Sequence, residues 1–175
     1  GSMNYAKFDA DSEEFVFEEV FANSFSDMST FARTMREAGI KPELECFDAG
    51  HVRNAQPLLD RGDLDPPLHF SLVCGVLGGI EGTPAALLEQ VRRVPDDATW
   101  QVIGVGEAQW PLVSTAAAMG GNVRVGLEDN FYLPDGDRAS DNADLVAQAV
   151  DIVENVGREV ATPAQARGIL GLDPL

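Results

Sequence analysis

Short apolar runs alternate with longer amphipathic stretches along this chain, and the unit recurs four times. Pro42–Phe47 (PELECF), Leu68–Gly75 (LHFSLVCG), Thr99–Val105 (TWQVIGV) and Asn122–Leu127 (NVRVGL) are each about as long as an ordinary strand, so four strands are predicted. The intervening stretches predict helices. Ser29–Ala38 brings Phe31, Met35 and Ala38 to one face, with Gly39 as its stop. Thr83 and Pro84 form an N-cap and first-turn pair opening a segment that runs to Pro95. Ala108–Met119 ends at Gly120-Gly121. Asn142–Val156 aligns Leu145, Val146, Ala149, Ile152, Val153 and Val156, and a last short helix starts at Thr162-Pro163 and stops before Gly171. Strands alternating with helices at this spacing run parallel, joined by right-handed crossovers. The topology is a doubly wound open sheet or part of a (β/α)8 barrel. Length favours the open sheet, because a whole barrel takes about 250 residues and this chain has 175.

In either topology chemistry gathers at the carboxyl ends of the strands. The positions there are Asp48, Gly50 and His51; Gly75, Gly78, Gly79 and Glu81; Gly104, Gly106 and Glu107; and Glu128, Asp129 and Asn130. Two-residue periodicity puts Arg124, Gly126 and Glu128 on one face of the fourth strand, with Asp129 entering the next loop. An Arg inside a buried strand needs carboxylate partners, and Glu43 and Glu45, alternating with Leu44, supply them. Such a cluster is a functional site or a structural ion-pair network. A surface charge ladder is a third reading, opposed by Leu44, Cys46, Phe47, Val123, Val125 and Leu127, which make these strands too apolar to lie outside.

Hydrophobic residues make up 45% of the chain and charged residues 23%, as in soluble globular proteins. No apolar run reaches the roughly 18 to 20 residues of a membrane span, and no basic-then-apolar leader opens the sequence. Cys46 and Cys74 lie in apolar stretches without metal-ligand spacing, which predicts buried free thiols and a cytoplasmic location. With 29 Asp and Glu against 12 Lys and Arg, the net charge is −17. That balance predicts a halophilic surface, with an acidic mesophilic enzyme as the alternative, and it opposes binding to nucleic acid or anionic lipid.

GSMNY at the start, GIKPELECFDAGH, WQVIGVG, GGNVRVGLEDN, SDNADLV and VATPAQAR together resemble the C-terminal part of the beta-keto acid cleavage enzymes, typified by 3-keto-5-aminohexanoate cleavage enzyme. The resemblance covers nearly the whole chain, with RVGLEDN its most specific run. It implies an α/β fold, with residues 1–175 forming a single domain: the C-terminal half of a TIM (β/α)8 barrel lacking its N-terminal half. It further implies zinc-dependent conversion of a beta-keto acid and acetyl-CoA into acetoacetate and a new acyl-CoA. By the same resemblance Glu128 is a zinc ligand, Asp129 the general base, Arg124 the residue that holds that base, and Glu45 the partner of Arg124. Ser2, Asn4 and Glu43 are placed in the substrate pocket. The family's zinc also takes a pair of histidines in an HxH motif that this sequence lacks, so the remaining His ligands are expected outside the chain. Of the two histidines, His69 is read as structural and His51 as a turn or packing residue. Asn122 stands where many relatives carry His.

The expected partners are therefore a beta-keto acid, acetyl-CoA, the other half-barrel and further copies in a homo-oligomer. The GSMN start is read as native strand-end sequence, and the rest of the barrel as a separate polypeptide or a preceding segment. Two alternatives are carried. One is a non-catalytic half-barrel that self-associates and binds a small acidic or CoA-like ligand. The other is a flavodoxin-like nucleotide module, opposed by the lack of a Walker motif and of G-x-G-x-x-G spacing in GVLGGIEG. Arg53, Arg61, Arg92, Arg93 and Arg138 are the loop and helix cations open to CoA phosphates, and the sequence does not choose among them.

Overall fold

The computed structural model describes residues 1–174. It begins with an antiparallel hairpin, β1 (Met3–Asp9) and β2 (Glu14–Phe21), followed by helix α1 (Phe25–Glu37). Next come β3 (Leu44–Cys46), α2 (Ala49–Arg53), α3 (Ala55–Asp60), β4 (His69–Cys74), α4 (Pro84–Val91) and β5 (Thr99–Gly104). A 3-10 turn at Gly106–Ala108 leads into α5 (Gln109–Ala118), then β6 (Asn122–Arg124), α6 (Asn142–Asn155) and α7 (Pro163–Ile169).

Strands β3, β4, β5 and β6 form one parallel sheet in sequence order. Sequential order with a helix after each strand is the arrangement of a (β/α) barrel segment. The two faces of the sheet differ in chemistry because side chains alternate along each strand. Leu44, Cys46, Phe70, Leu72, Cys74, Trp100, Val102 and Val123 point one way, into a core completed by Val52, Leu58, Leu87, Leu112 and Ala116 from the helices. The other face carries a transverse polar row, with Glu45, Ser71, Gln101 and Asn122 in register. Helix ends are fixed locally. Thr83 caps α4 ahead of Pro84, Asp141 caps α6 by accepting from Ala143 and Asp144, and Thr162 with Gln165 closes a capping box on α7. Both thiols are free and buried.

Four expectations are corrected in detail. The fourth strand, expected to reach Leu127, ends at Arg124, because Val125 and Leu127 turn away to pack with Trp110, Leu145 and Ala149. The first, expected from Pro42, keeps only Leu44–Cys46. Helix α1 starts a turn earlier than expected, since Ser24 and Asp27 form a capping box ahead of Ser29. The opening residues do not simply end a barrel strand. They form a hairpin that the sequence reading missed, because EFVFEEVF lacks the strict alternation of a half-buried strand.

Candidate active site

Arg124 ends β6 with its guanidinium on the polar face of the sheet, amid four carboxylates. Its Nη1 donates to Glu45 Oε1 at 3.2 Å and lies 3.9 Å from Glu43 Oε1. Its Nη2 donates to Asp129 Oδ1 at 3.5 Å and lies 3.7 Å from Glu128 Oε2. Burial draws the guanidinium pKa down, but Asp129, Glu45 and Glu43 outweigh that effect and raise it, so Arg124 stays charged.

Asp129 differs from its neighbour. Its side chain is 9% exposed, whereas that of Glu128 is 87% exposed. Burial pushes the Asp129 carboxyl above the ordinary aspartate range, Arg124 pulls it back, and the nearby Glu128 raises it again, so the net direction is up. A desolvated carboxylate with a raised pKa, steered by one cation, suits a general base. The backbone holds it in place. Gly126 O accepts from the amides of Asp129 and Asn130, and Asp129 O accepts from Gly106 N at 2.8 Å.

The tight turn at Gly126 also corrects the expected location of Glu128. Glu128 is not the next inward residue of a strand but projects from a turn, and it meets Arg124 only across that turn. Glu45 lies closer to Arg124 than Glu43 does. Glu43 Oε1 instead accepts from Ser71 Oγ and, at 3.0 Å, from Gln101 Nε2. Ser71 and Gln101 were missed in the sequence, although each is a polar residue at inward parity within an apolar strand, and that signal was available.

Ser2 and Asn4 are exposed on the hairpin stem. Ser2 Oγ accepts from Asn23 N and donates to Asn23 O, while the Asn4 carbonyl abuts Gly78 in the loop after β4. Among the described residues no hydrogen bond joins either side chain to the Arg124 cluster. His51 sits in α2, where its Nδ1 accepts from Phe47 N and Gly1 lies against its ring. His69, at the first position of β4, places Nδ1 2.8 Å from Thr99 Oγ1 on the paired strand, a structural contact. Among the described residues no group of three His, Cys, Asp or Glu side chains is arranged to hold a metal ion. These residues alone therefore do not make a zinc site, and Glu128 is left as a single exposed carboxylate.

Comparison with known proteins gives the family and the fold. The family described as beta-keto acid cleavage enzyme matches residues 1–172. The chain is 38% identical over 167 residues to the 3-keto-5-aminohexanoate cleavage enzyme of Acetoanaerobium sticklandii, covering 95% of this chain and 61% of that one. It is 37% identical over 158 residues to the 3,5-dioxohexanoate:acetyl-CoA acetone transferase of Paraburkholderia graminis, covering 87% of this chain and 51% of that one. Among solved structures, the ternary complex of ObcA with a C4-CoA adduct and oxalate superposes with a TM-score of 0.76 at 20% identity, covering 97% of this chain and 44% of that one. The chain thus spans about half to three-fifths of the length of the curated relatives it matches. A parallel sheet in sequential order, an Arg-tethered buried aspartate where it ends, and these matches lead to one conclusion: the chain belongs to the beta-keto acid cleavage enzyme family.

Proposed function

We propose that this chain carries the base-bearing part of an enzyme that condenses a beta-keto acid with acetyl-CoA, giving acetoacetate and a new acyl-CoA. The observation that supports it most is Asp129, nearly buried, raised in pKa and held at 3.5 Å by an Arg124 that Glu45 anchors from the other side. In this reading the Asp129 carboxylate removes the proton α to the keto group. Arg124 keeps the carboxylate aimed and charged, and Glu45 keeps Arg124 from swinging away. The carbanion attacks the thioester carbonyl of acetyl-CoA, CoA passes to the new acyl group, and carbon–carbon cleavage releases acetoacetate. Glu43, held by Ser71 and Gln101, and Ser2 and Asn4 on the hairpin stem line the approach to the substrate.

Glu128 is proposed as one ligand of a zinc ion whose His ligands come from outside this chain. Zinc held there by Glu128 and the outside His ligands would supply Lewis acidity for the keto oxygen. The polar face of the four-stranded sheet and its two free edges, β3 and β6, support completion of the barrel by further strands. The free buried thiols support a reducing, cytoplasmic compartment, and the charge of −17 supports a halophilic surface. Exposed Phe8, Phe15, Val20 and Phe31 favour association with further copies, and with it the second reading, a self-associating half-barrel without turnover.

The test is an acetoacetate-release assay with a panel of beta-keto acids on the chain reconstituted with the remaining barrel strands. Asp129→Asn is expected to lower turnover by at least about a hundredfold, the lower end of general-base effects, with bound zinc retained. Glu128→Gln is expected to weaken zinc binding. Full activity of Asp129→Asn would overturn the assignment.

A further inference from the structure

A cavity of about 1080 Å³ opens beside Asp129, lined by residues of α5, α6 and the loops that follow β5 and β6. Its wall is mostly apolar and aromatic, with Trp110, Phe131, Tyr132, Pro134 and Ile152, and Asp129 itself forms part of it. The wall is fixed by its own hydrogen bonds. Trp110 Nε1 donates to Tyr132 O at 2.8 Å, Asn130 Nδ2 donates to the same carbonyl at 2.7 Å, and Asn130 Oδ1 accepts from Tyr132 N at 3.1 Å. The Asn130 residue is only 6% exposed. A cleft of this size with a mostly apolar and aromatic wall and a few polar groups suits a small-molecule ligand or cofactor arm.

The distribution of positive charge indicates which ligand. Arg33 and Arg61 face Asp63, Arg93 faces Glu89, Arg124 serves the site, and Arg36 and Arg158 are held by backbone carbonyls. Arg53 lies beside Leu68 and Pro95, and Arg92 ends α4, both toward the amino ends of the strands and away from the site. Arg138 remains. It follows the strand end that carries Asp129, stacks over the Phe131 ring at 5.4 Å and makes no ion pair among the described residues. Of the carboxylates near it in sequence, Asp135 accepts from Asp137 N, Asp141 caps α6 and Asp144 holds Ser140, and neither these nor Asp137 pairs with Arg138 among the described residues.

We propose that this cavity binds the phosphopantetheine arm of the acyl-CoA co-substrate, with the Phe131–Tyr132 wall along the arm and Arg138 on a phosphate of the nucleotide end. The assignment rests on the acetyl-CoA-dependent reading above. It adds where the co-substrate lies and which of the candidate cations recognises it. Shared use of Asp129 by cavity and site brings the thioester end to the base.

Isothermal titration of the intact chain with acetyl-CoA and with acetyl-pantetheine, which lacks the phosphates, tests it. Arg138→Glu is expected to weaken acetyl-CoA about tenfold and leave acetyl-pantetheine unchanged, whereas Phe131→Ala is expected to weaken both. Arg92→Glu, at the opposite end of the barrel segment, is expected to change neither. Equal acetyl-CoA affinity in wild type, Arg138→Glu and Phe131→Ala would overturn the proposal. So would wild type binding no acetyl-CoA, or Phe131→Ala altering only self-association in sedimentation, which would assign the cleft to a second copy. The acetoacetate assay separates this from the reaction itself. Release without Arg138-dependent binding removes the subsite and keeps the reaction; Arg138-dependent binding without release does the reverse.

Discussion

Asp129 is pulled in two directions, and the balance has a measurable consequence. Burial raises its pKa above the 3.8 of an unperturbed aspartate, Arg124 opposes the rise, and Glu128 adds to it. In the unfolded chain the group titrates near the ordinary value. Between that value and the raised one the folded state holds more protons, so the contribution of Asp129 to stability falls as pH rises through that window. Urea midpoints of wild type and Asp129→Asn measured from pH 3 to 7 should diverge across it. Relative to Asp129→Asn, wild type should lose stability as pH rises, and parallel curves would show that Asp129 is not desolvated. The partners of this residue were legible beforehand, because PELE and RVGLED place opposite charges in strands too apolar to be exposed. The exposure of Glu128 was not, since it follows from a turn at Gly126 that strand periodicity cannot reveal.

At the scale of elements, the hairpin stands apart from the sheet. Among the described residues its strands pair only with each other, and Tyr5, Phe8, Phe15, Phe17, Val20 and Phe21 are exposed. Edge-to-face contacts between Tyr5 and Phe17 and between Phe8 and Phe15 give it some internal order. A lone two-stranded ribbon is marginally stable in water, so its attachment matters. That attachment includes Gly78, at φ +97°, where an added Cβ would sit 1.9 Å from the Asn4 carbonyl oxygen. Gly78→Ala combines backbone strain of about 1–2 kcal/mol with that collision. Hydrogen exchange is expected to quicken across β1 and β2 while β4 and β5 stay protected; unchanged protection in the hairpin would mean it is anchored elsewhere. The parallel strands and long helices were readable because each has its own hydrophobic period and its own cap or stop. The hairpin, α2 and α3 were not, being short or apolar on both faces.

For the whole molecule, a net charge of −17 sets up self-repulsion that depends on the solvent. Screening shortens from about 10 Å at 0.1 M salt to about 3 Å at 1 M. The melting midpoint is therefore expected to rise between 0.1 and 2 M KCl, and a midpoint indifferent to salt would set the halophilic reading aside. Composition, periodicity and turn residues are local properties, and by themselves they determined the alternation of strand and helix, the acidic surface, the buried thiols and the carriers of charge near the fourth strand. Tertiary structure decided how those carriers meet. It placed Glu45 rather than Glu43 nearest Arg124, left Glu128 in solvent while burying Asp129, tied Ser71 and Gln101 to Glu43, and set Arg138 against the wall of the cleft beside the base. The physical reason is that desolvation and Coulomb attraction depend on distances through space, and residues as far apart in the chain as Glu45 and Arg124 come within reach only once the sheet fixes its register.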